Sequence, residues 1–408
     1  MFRNQLVAKD IYYVGVNDRN KAKFENSLPL PKGVSYNSYL IMDDKTALVD
    51  TVDVAFGDVF IEKIKSQLQG RTLDYLIVNH MEPDHSGSIR LLRQYFPQMI
   101  IVGNTKTLSM IDGFYGITGN SLEIKDGERL TLGAHILEFH LTPMVHWPET
   151  MMTYEVTDKV LFSGDAFGGF GTLDGAVLDV NMNMNRYWNE LARYYANIVG
   201  KYGSPVQKAL EKLGHLKFNV ICSTHGPVWT EHVPEVVAYY DKLSRYEAKE
   251  GVVVIYGSMY GNTELMAETV AQGLSEAGIK KVIVHNVSTS DSSFILRDIF
   301  KYQGIIIGSP TYCNELFPEI ETLLHKIELR GVRNRVFGYF GSYTWADASA
   351  KRLASFGERM KWKMAQTSVT EKQGLKAEKY NECLELGKQI AEMVRTFEYE
   401  PLVLCGKK

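Results

Sequence analysis

From Gly251 onward the sequence alternates unbroken apolar runs with amphipathic segments, and this pattern constrains the fold more than any other feature. VVVIYGS precedes NTELMAETVAQGLSEAG; KVIVHN precedes a helical stretch near Ser293, GIIIGSP one near Leu323, and RVFGYFGS another. Strands that are apolar on both faces must be covered on both, so this order predicts a parallel, doubly wound sheet between helices. The preceding helical pattern, VPEVVAYYDKLSRYEAKE, ends in charged residues, which places a domain boundary near residue 250. Residues 250–408 are thus expected to form one domain and residues 1–249 another.

The first domain has a different texture. YLIM, TALVD, DYLIVNH, QMIIVGN, HILEFHL, KVLFSGD and FNVICSTH are short runs rich in β-branched and aromatic residues, each followed by a polar or glycine-bearing loop. Leu137, Phe139 and Leu141 alternate with Ile136, Glu138 and His140, which predicts a strand with one drier face. A helical pattern, RYWNELARYYANIVGKYG, lies among them, so this part reads as a mixed sheet-and-helix domain.

A length of 408 residues fits two or three domains, and 45% apolar with 23% charged residues is enough to build real cores. Lys plus Arg is 45 against 48 for Asp plus Glu, a net charge of −3, with no long basic run to serve a nucleic acid. No apolar stretch approaches the ~18 residues of a membrane helix, and MFRNQLVAKDIYYVGV lacks the order of a secretory signal. A cytoplasmic protein without a membrane partner is expected. Cys222, Cys313, Cys383 and Cys405 include no C-x-x-C pair, which argues against a disulfide framework, an iron–sulfur cluster or a rubredoxin-type module and favours buried or incidental thiols.

The densest chemistry follows the strand pattern at residues 75–79, where His80, Glu82, Asp84 and His85 place four potential metal ligands within six residues. His146 follows HILEFHL, Asp165 follows KVLFSG and His225 follows NVICST, so all seven candidates stand at strand-to-loop transitions. Loops at one end of a rigid sheet can gather ligands distant in sequence. His135, His140, His215, His232, His285 and His325 are read as structural or solvated histidines.

In the second domain VVVIY runs into Ser258, Met259, Tyr260, Gly261, Asn262 and Thr263 and then into a helix. Hydroxyls and backbone N–H groups at a helix N-terminus suit a phosphate. The loop is neither a Walker motif nor G-x-G-x-x-G. Pro310, Thr311, Tyr312, Cys313 and Asn314 follow GIIIGS, and Tyr343, Thr344 and Trp345 follow VFGYFGS, both at carboxyl ends of predicted parallel strands. Ligands of doubly wound sheets bind in that crevice, where aromatic side chains can stack on a flat ring. GGFG at residues 168–171 does not follow dinucleotide spacing and is read as a flexible turn beside the first cluster.

The ligand order resembles that of the metallo-β-lactamase fold, whose hydrolases carry H-x-H-x-D-H followed by His, Asp and His. Here Glu82 stands in place of the second His. With that exchange the chain is similar to the flavodiiron proteins (A-type flavoproteins), a resemblance that covers nearly its whole length. It implies an α/β protein with an N-terminal metallo-β-lactamase-like αββα sandwich and a C-terminal flavodoxin-like sheet. His80, Glu82 and His146 would hold one iron, Asp84, His85 and His225 the other, and Asp165 would bridge them. Two imidazoles and one terminal carboxylate per metal suit non-haem iron, whereas zinc prefers more nitrogen. Tyr195 and Trp147 match residues the family places near the metals, core packing being the other reading of both.

The same resemblance implies FMN, with its phosphate at residues 258–263 and its ring among Pro310, Thr311, Tyr312, Asn314, Ser342, Tyr343, Thr344 and Trp345. After Trp345 the sequence ADASA departs from the family's glycine-rich run. The implied activity is that of a soluble oxidoreductase reducing dioxygen to water, nitric oxide to nitrous oxide, or both, with electrons relayed through FMN. No C-x-x-C follows residue 250, so the donor is expected to be external, a rubredoxin or a reduced deazaflavin. A head-to-tail homodimer or a dimer of dimers is implied. Two other readings are a di-zinc hydrolase with an appended flavodoxin module and a flavin electron carrier with a structural metal domain.

Overall fold

The computed structural model describes residues 2–400. The expectation for Cys405, and the last residues of the expected second domain, lie outside the described residues. The chain forms two compact units, one from Met1–Tyr194 with Ser204–Asp241 and the other from Tyr195–Gly203 with Lys242–Lys408.

In the first unit every one of the seven β runs becomes a strand, and the strands fall into two sheets. The seven-stranded sheet has the order Gln5–Ala8, Ile11–Tyr13, Tyr39–Ile41, Ala47–Val49, Tyr75–Ile77, Ile100–Gly103, Ser121–Glu123. Its first four strands pair antiparallel and the rest parallel. The five-stranded sheet runs Arg129–Thr131, Ile136–Leu141, Met151–Glu155, Val160–Gly164, Val220–Ser223, with only the last pair parallel. Tyr39 ties the two together: its ring lies 5.5 Å from that of Phe162, and its hydroxyl donates to the Ser223 carbonyl at 2.6 Å. Leu137 and Phe139 are fully buried as the alternation requires, although His140 is buried as well.

The RYWNELARYY pattern forms a helix only over Asn185–Tyr194; the chain then widens into a π turn over Tyr195–Val199. The turn at residues 168–171 is buried rather than a flexible solvent loop, a correction to its sequence reading. A Cβ on Gly169 would meet the Leu191 backbone at 3.0 Å, so a larger residue there would push the two segments apart by a few tenths of an ångström.

The second unit carries a parallel sheet in the order Val282–Asn286, Lys249–Tyr256, Tyr302–Pro310, Val336–Tyr343, its next position shared by Lys363–Met364 and Val369–Lys372. Tyr302–Pro310 is buried at every residue, as expected of a strand covered on both faces. The helices are Asn262–Glu276, Ser292–Lys301, Pro318–Arg330, Ser349–Met360 and Ala377–Arg395. The charged stretch before Gly251 is not helical throughout. That helix stops at Ser244, and Lys249 and Glu250 already belong to the strand.

Candidate metal centre and flavin cleft

The strand Tyr75–Ile77 ends in a loop that delivers His80, and Glu82 then opens the short helix Pro83–Ser86, its carbonyl accepting the His85 and Ser86 N–H groups at 2.9 and 3.0 Å. This turn aims Asp84 and His85 inward. His146, Asp165 and His225 arrive from the loops after Ile136–Leu141, Val160–Gly164 and Val220–Ser223. All seven side chains are buried.

They form two groups, His80, Glu82, His146 and Asp165 in one and Asp84, His85 and His225 in the other. Asp165 belongs to both sides. Its Oδ2 is 3.0 Å from His146 Nε2 and 3.4 Å from His80 Nε2, whereas its Oδ1 is 3.0 Å from His85 Nε2 and 3.9 Å from His225 Nε2. Glu82 Oε2 reaches His80 and His146 at 3.4 and 3.2 Å; Asp84 Oδ2 reaches His85 and His225 at 3.4 and 3.3 Å.

Several atoms here lack the partners burial demands. His80 Nε2 and both Asp84 oxygens have no hydrogen-bond partner among the described residues, and His85 Nε2 faces His225 Nε2 at 3.0 Å. Three carboxylates converging with four imidazole nitrogens in a buried space form a donor set that two divalent cations satisfy. The ring tautomers agree with that use. Glu149 Oε1 takes the Nδ1 edge of His80 at 2.8 Å, and the Ser35 carbonyl takes that of His225 at 2.7 Å, so both Nε2 atoms face the cluster as acceptors.

Glu149 gave no sequence signal, standing in a PET loop without pattern, yet it is fully buried and also accepts the Met81 N–H at 2.9 Å. Glu149→Gln is expected to cost ~10- to 100-fold in metal affinity. Retention of added divalent metal against a chelator measures it, and unchanged retention refutes the orienting role.

Burial opposes charge throughout the cluster, but opposite charges outweigh it. His146 and His80 hold Glu82 well below the usual carboxylate range, and His85 and His80 do the same for Asp165. Burial would depress His85 and His146, yet Asp84 and Asp165 lift the first to about 9, and Asp165 and Glu82 lift the second to about 9. Both shifts are upward from 6.5. Their protonation therefore stabilises the metal-free fold fully below ~6.5 and ceases to do so as pH rises through about 9. The Tm of chelated protein is expected to fall across that window, whereas that of metal-loaded protein stays level because the cations replace the protons. Parallel profiles in a thermal-shift series count against this.

The Trp147 ring lies 5.2 Å from that of His80 and 6.2 Å from that of His146. Tyr195 packs on Phe300, ring centroids 5.9 Å apart, both residues belonging to the second unit. Its neighbour Tyr194, in the first unit, lies 5.3 Å from the His225 ring, and burial with the Asp165, Glu82 and Asp84 charges keeps its hydroxyl protonated. The cluster opens to solvent through a cleft of about 920 Å³ lined by Lys21, Glu25, Asp53, Glu82, Asp84 and Arg90. Glu25, another residue the sequence did not single out, is pushed up to about 7 by burial and by Glu82.

The second unit has a cleft of about 390 Å³ at the carboxyl ends of its strands. Three loops line it: Ser258, Met259, Tyr260, Asn262 and Thr263; Pro310, Thr311, Tyr312, Cys313 and Asn314; and Ser342, Tyr343, Thr344, Trp345 and Ala346, with Gln373 from beyond. Gly261, with φ +90°, turns the chain into the helix Asn262–Glu276, whose first N–H groups face the cleft end of the sheet. Thr263 Oγ1 and Ser342 Oγ meet at 2.9 Å, joining the first and third loops. Tyr260 and Trp345 are 90% and 84% exposed, an unusual cost for bare aromatic rings that a stacked planar ligand would offset.

Known proteins share this arrangement. Residues 34–226 match the family described as ODP family beta lactamase, and residues 254–387 match flavodoxin. The anaerobic nitric oxide reductase flavorubredoxin of Enterobacter sp. (strain 638) is 34% identical over 363 residues, covering 86% of this chain and 74% of that protein. The one from Salmonella typhi is 32% identical with the same coverage. Among solved structures, rubredoxin oxygen:oxidoreductase from the anaerobe Desulfovibrio gigas superposes with a TM-score of 0.92 at 28% identity, over 96% of this chain and 99% of that one. A flavoprotein from Thermotoga maritima gives a TM-score of 0.86 at 28% identity, over 95% and 98%.

Fold and sites together define a two-domain oxidoreductase, a metallo-β-lactamase-like domain followed by a flavodoxin-like one. The chain belongs to the flavodiiron protein family. Its flavodoxin domain implies an FMN site, and its paired His and carboxylate groups could hold metal.

Proposed function

We propose that the protein reduces dioxygen to water, nitric oxide to nitrous oxide, or both, at a diiron site supplied with electrons through FMN. The observation that carries this reading is Asp165, whose two oxygens serve the two ligand groups separately. In this reading His80, Glu82 and His146 hold one iron, Asp84, His85 and His225 the other, and Asp165 bridges. The irons and FMN, when bound, supply the redox chemistry by which donor electrons reach the gas. The chain's own residues do the rest. Glu149 and the Ser35 carbonyl orient ligand rings, Trp147 covers the His80 edge, and the cleft gives the cluster access to water, the source of protons.

The flavin belongs in the second cleft, its phosphate on residues 258–263 and its ring between the loops of Tyr312 and Trp345. Trp345→Ala is expected to weaken FMN binding ~3- to 10-fold, the worth of one aromatic stack, while leaving the flavin-free Tm unchanged because the ring is exposed. Fluorescence titration measures the first and a thermal scan the second; equal FMN affinity removes Trp345 from the site.

The relatives named nitric oxide reductase and the neighbour named oxygen:oxidoreductase bring both gases to this chain, and that neighbour's name supports a rubredoxin as donor, a reduced deazaflavin being the other source. We place the protein in the cytoplasm as a head-to-tail homodimer or a dimer of dimers. Among the described residues no helix is long and apolar enough to cross a membrane.

The deciding experiment uses iron-loaded, fully reduced protein and compares initial rates of dioxygen and nitric oxide consumption. Faster dioxygen loss with water as product makes it an oxygen reductase; faster nitric oxide loss makes it a nitric oxide reductase. Zinc in the purified protein with thioesterase turnover and no gas uptake overturns the proposal in favour of a hydrolase. Flavin reduction without gas uptake, iron being present, overturns it in favour of an electron carrier.

A further inference from the structure

A third group of ligand-type side chains, His135, Glu155 and Asp158, shares no residue with the two clusters above. His135 immediately precedes the strand Ile136–Leu141, Glu155 ends Met151–Glu155, and Asp158 sits in the turn that leads into Val160–Gly164. Leu137 pairs with Glu155 across the sheet, and the Thr157 hydroxyl donates to the Ala134 carbonyl at 2.9 Å, so hairpin and turn are fastened side by side.

The donors are held in place. Glu155 Oε1 accepts the Thr157 N–H at 2.9 Å and Oε2 the Asp158 N–H at 2.7 Å, which fixes the carboxylate and leaves a lone pair on each oxygen. The His135 N–H donates to Asp43 Oδ2 at 2.6 Å, which adds a further negative charge beside the ring. His135 is 3% exposed and Glu155 not at all. His135 Nδ1 lies 3.2 Å from Glu155 Oε1 but off the line a hydrogen bond needs, and Asp158 Oδ2 is buried with no donor among the described residues. The three ligand atoms lie within 4.8 Å of one another.

We propose that His135, Glu155 and Asp158 form a separate mononuclear site for a divalent first-row cation such as zinc. One nitrogen and two carboxylate oxygens make a common donor set for such an ion, with water completing the coordination. A cation there satisfies the ring nitrogen and the Asp158 oxygen together and clamps two turns of the five-stranded sheet. The role is structural, and it does not rest on the gas-reducing activity.

The test titrates ZnCl2 into full-length, iron-loaded, FMN-replete protein by calorimetry, with metal analysis after desalting. One Zn²⁺ per chain is expected to bind without loss of iron, raising Tm by ~2–4 °C. His135→Ala and Asp158→Asn are each expected to weaken zinc binding by ~10-fold or more, with iron and FMN content unchanged. Should His135→Ala fold poorly, His135→Asn serves in its place. Zinc uptake that expels iron, that both variants leave intact, or that does not occur overturns the site and makes His135 the protonated partner of Glu155.

Discussion

Asp165→Ala is expected to lose at least ~1000-fold of its gas consumption, about 4 kcal/mol of transition-state stabilisation, while keeping FMN at one per chain. The size of the effect follows from position. Among the described residues Asp165 is the one side chain whose carboxylate faces both ligand groups, so its removal deprives His80 and His146 on one side and His85 and His225 on the other of their shared counter-charge. It also strands the Thr224 hydroxyl, which donates to Oδ1 at 2.5 Å. Glu82→Ala, which damages one group only, is expected to abolish turnover with a smaller loss of iron. Iron content, flavin absorbance and gas uptake on the same preparation separate the outcomes. Substantial turnover in an iron-depleted Asp165→Ala protein ends the diiron assignment.

The second large effect concerns stability. Arg335 is fully buried and among the described residues meets no carboxylate; its guanidinium is satisfied by backbone carbonyls instead. Nε donates to Ile299 at 2.8 Å, Nη1 to Tyr246, Arg333 and Asn334 at 2.8, 2.8 and 3.0 Å, and Nη2 to Phe300 at 3.1 Å. Burial pulls its pKa down to about 10, so it is still charged at neutral pH. Arg335→Leu strands these carbonyls at once and is expected to cost roughly 3–5 kcal/mol. Urea unfolding followed by flavin release reports on this unit, and its midpoint should fall accordingly. Arg335→Lys, a point charge with three donors in place of a planar fork, should recover only part of the loss. An unchanged midpoint in Arg335→Leu contradicts the account.

The sequence made legible what depends on strand ends. Each of the seven expected ligands follows an apolar run, and apolar runs are strands wherever they are buried on both faces. Residues that act from polar loops were hidden: Glu149 lies in a segment with no periodicity, and its role exists only because His80 turns its Nδ1 edge that way. Tyr194 was hidden for another reason. Adjacent tyrosines on a helix differ by ~100° in direction, and it is the backbone path of the helix Asn185–Tyr194, not residue type, that brings Tyr194 beside His225. Short, partly exposed strands such as Gln5–Ala8 and Arg129–Thr131 were not foreseen because three or four residues are too few to establish a period. His135 was read as an ordinary histidine because its partners, Glu155 and Asp158, stand 20 and more residues away.

The contact between His225 and Ser35 has a consequence for how the molecule is made. It spans 190 residues of chain, and Gly226 and Ser223 reinforce it through Ser35 Oγ and the Asn37 amide. The first ligand group is complete in sequence once Asp165 has been synthesised; the second waits for His225 and for the closure of this loop, among the slowest kinds of event in folding. A nascent chain therefore cannot present both halves of the centre until the first unit has closed on itself. In the proposed diiron reading, full metal loading is then a certificate of finished folding, one that truncated or misassembled copies would lack.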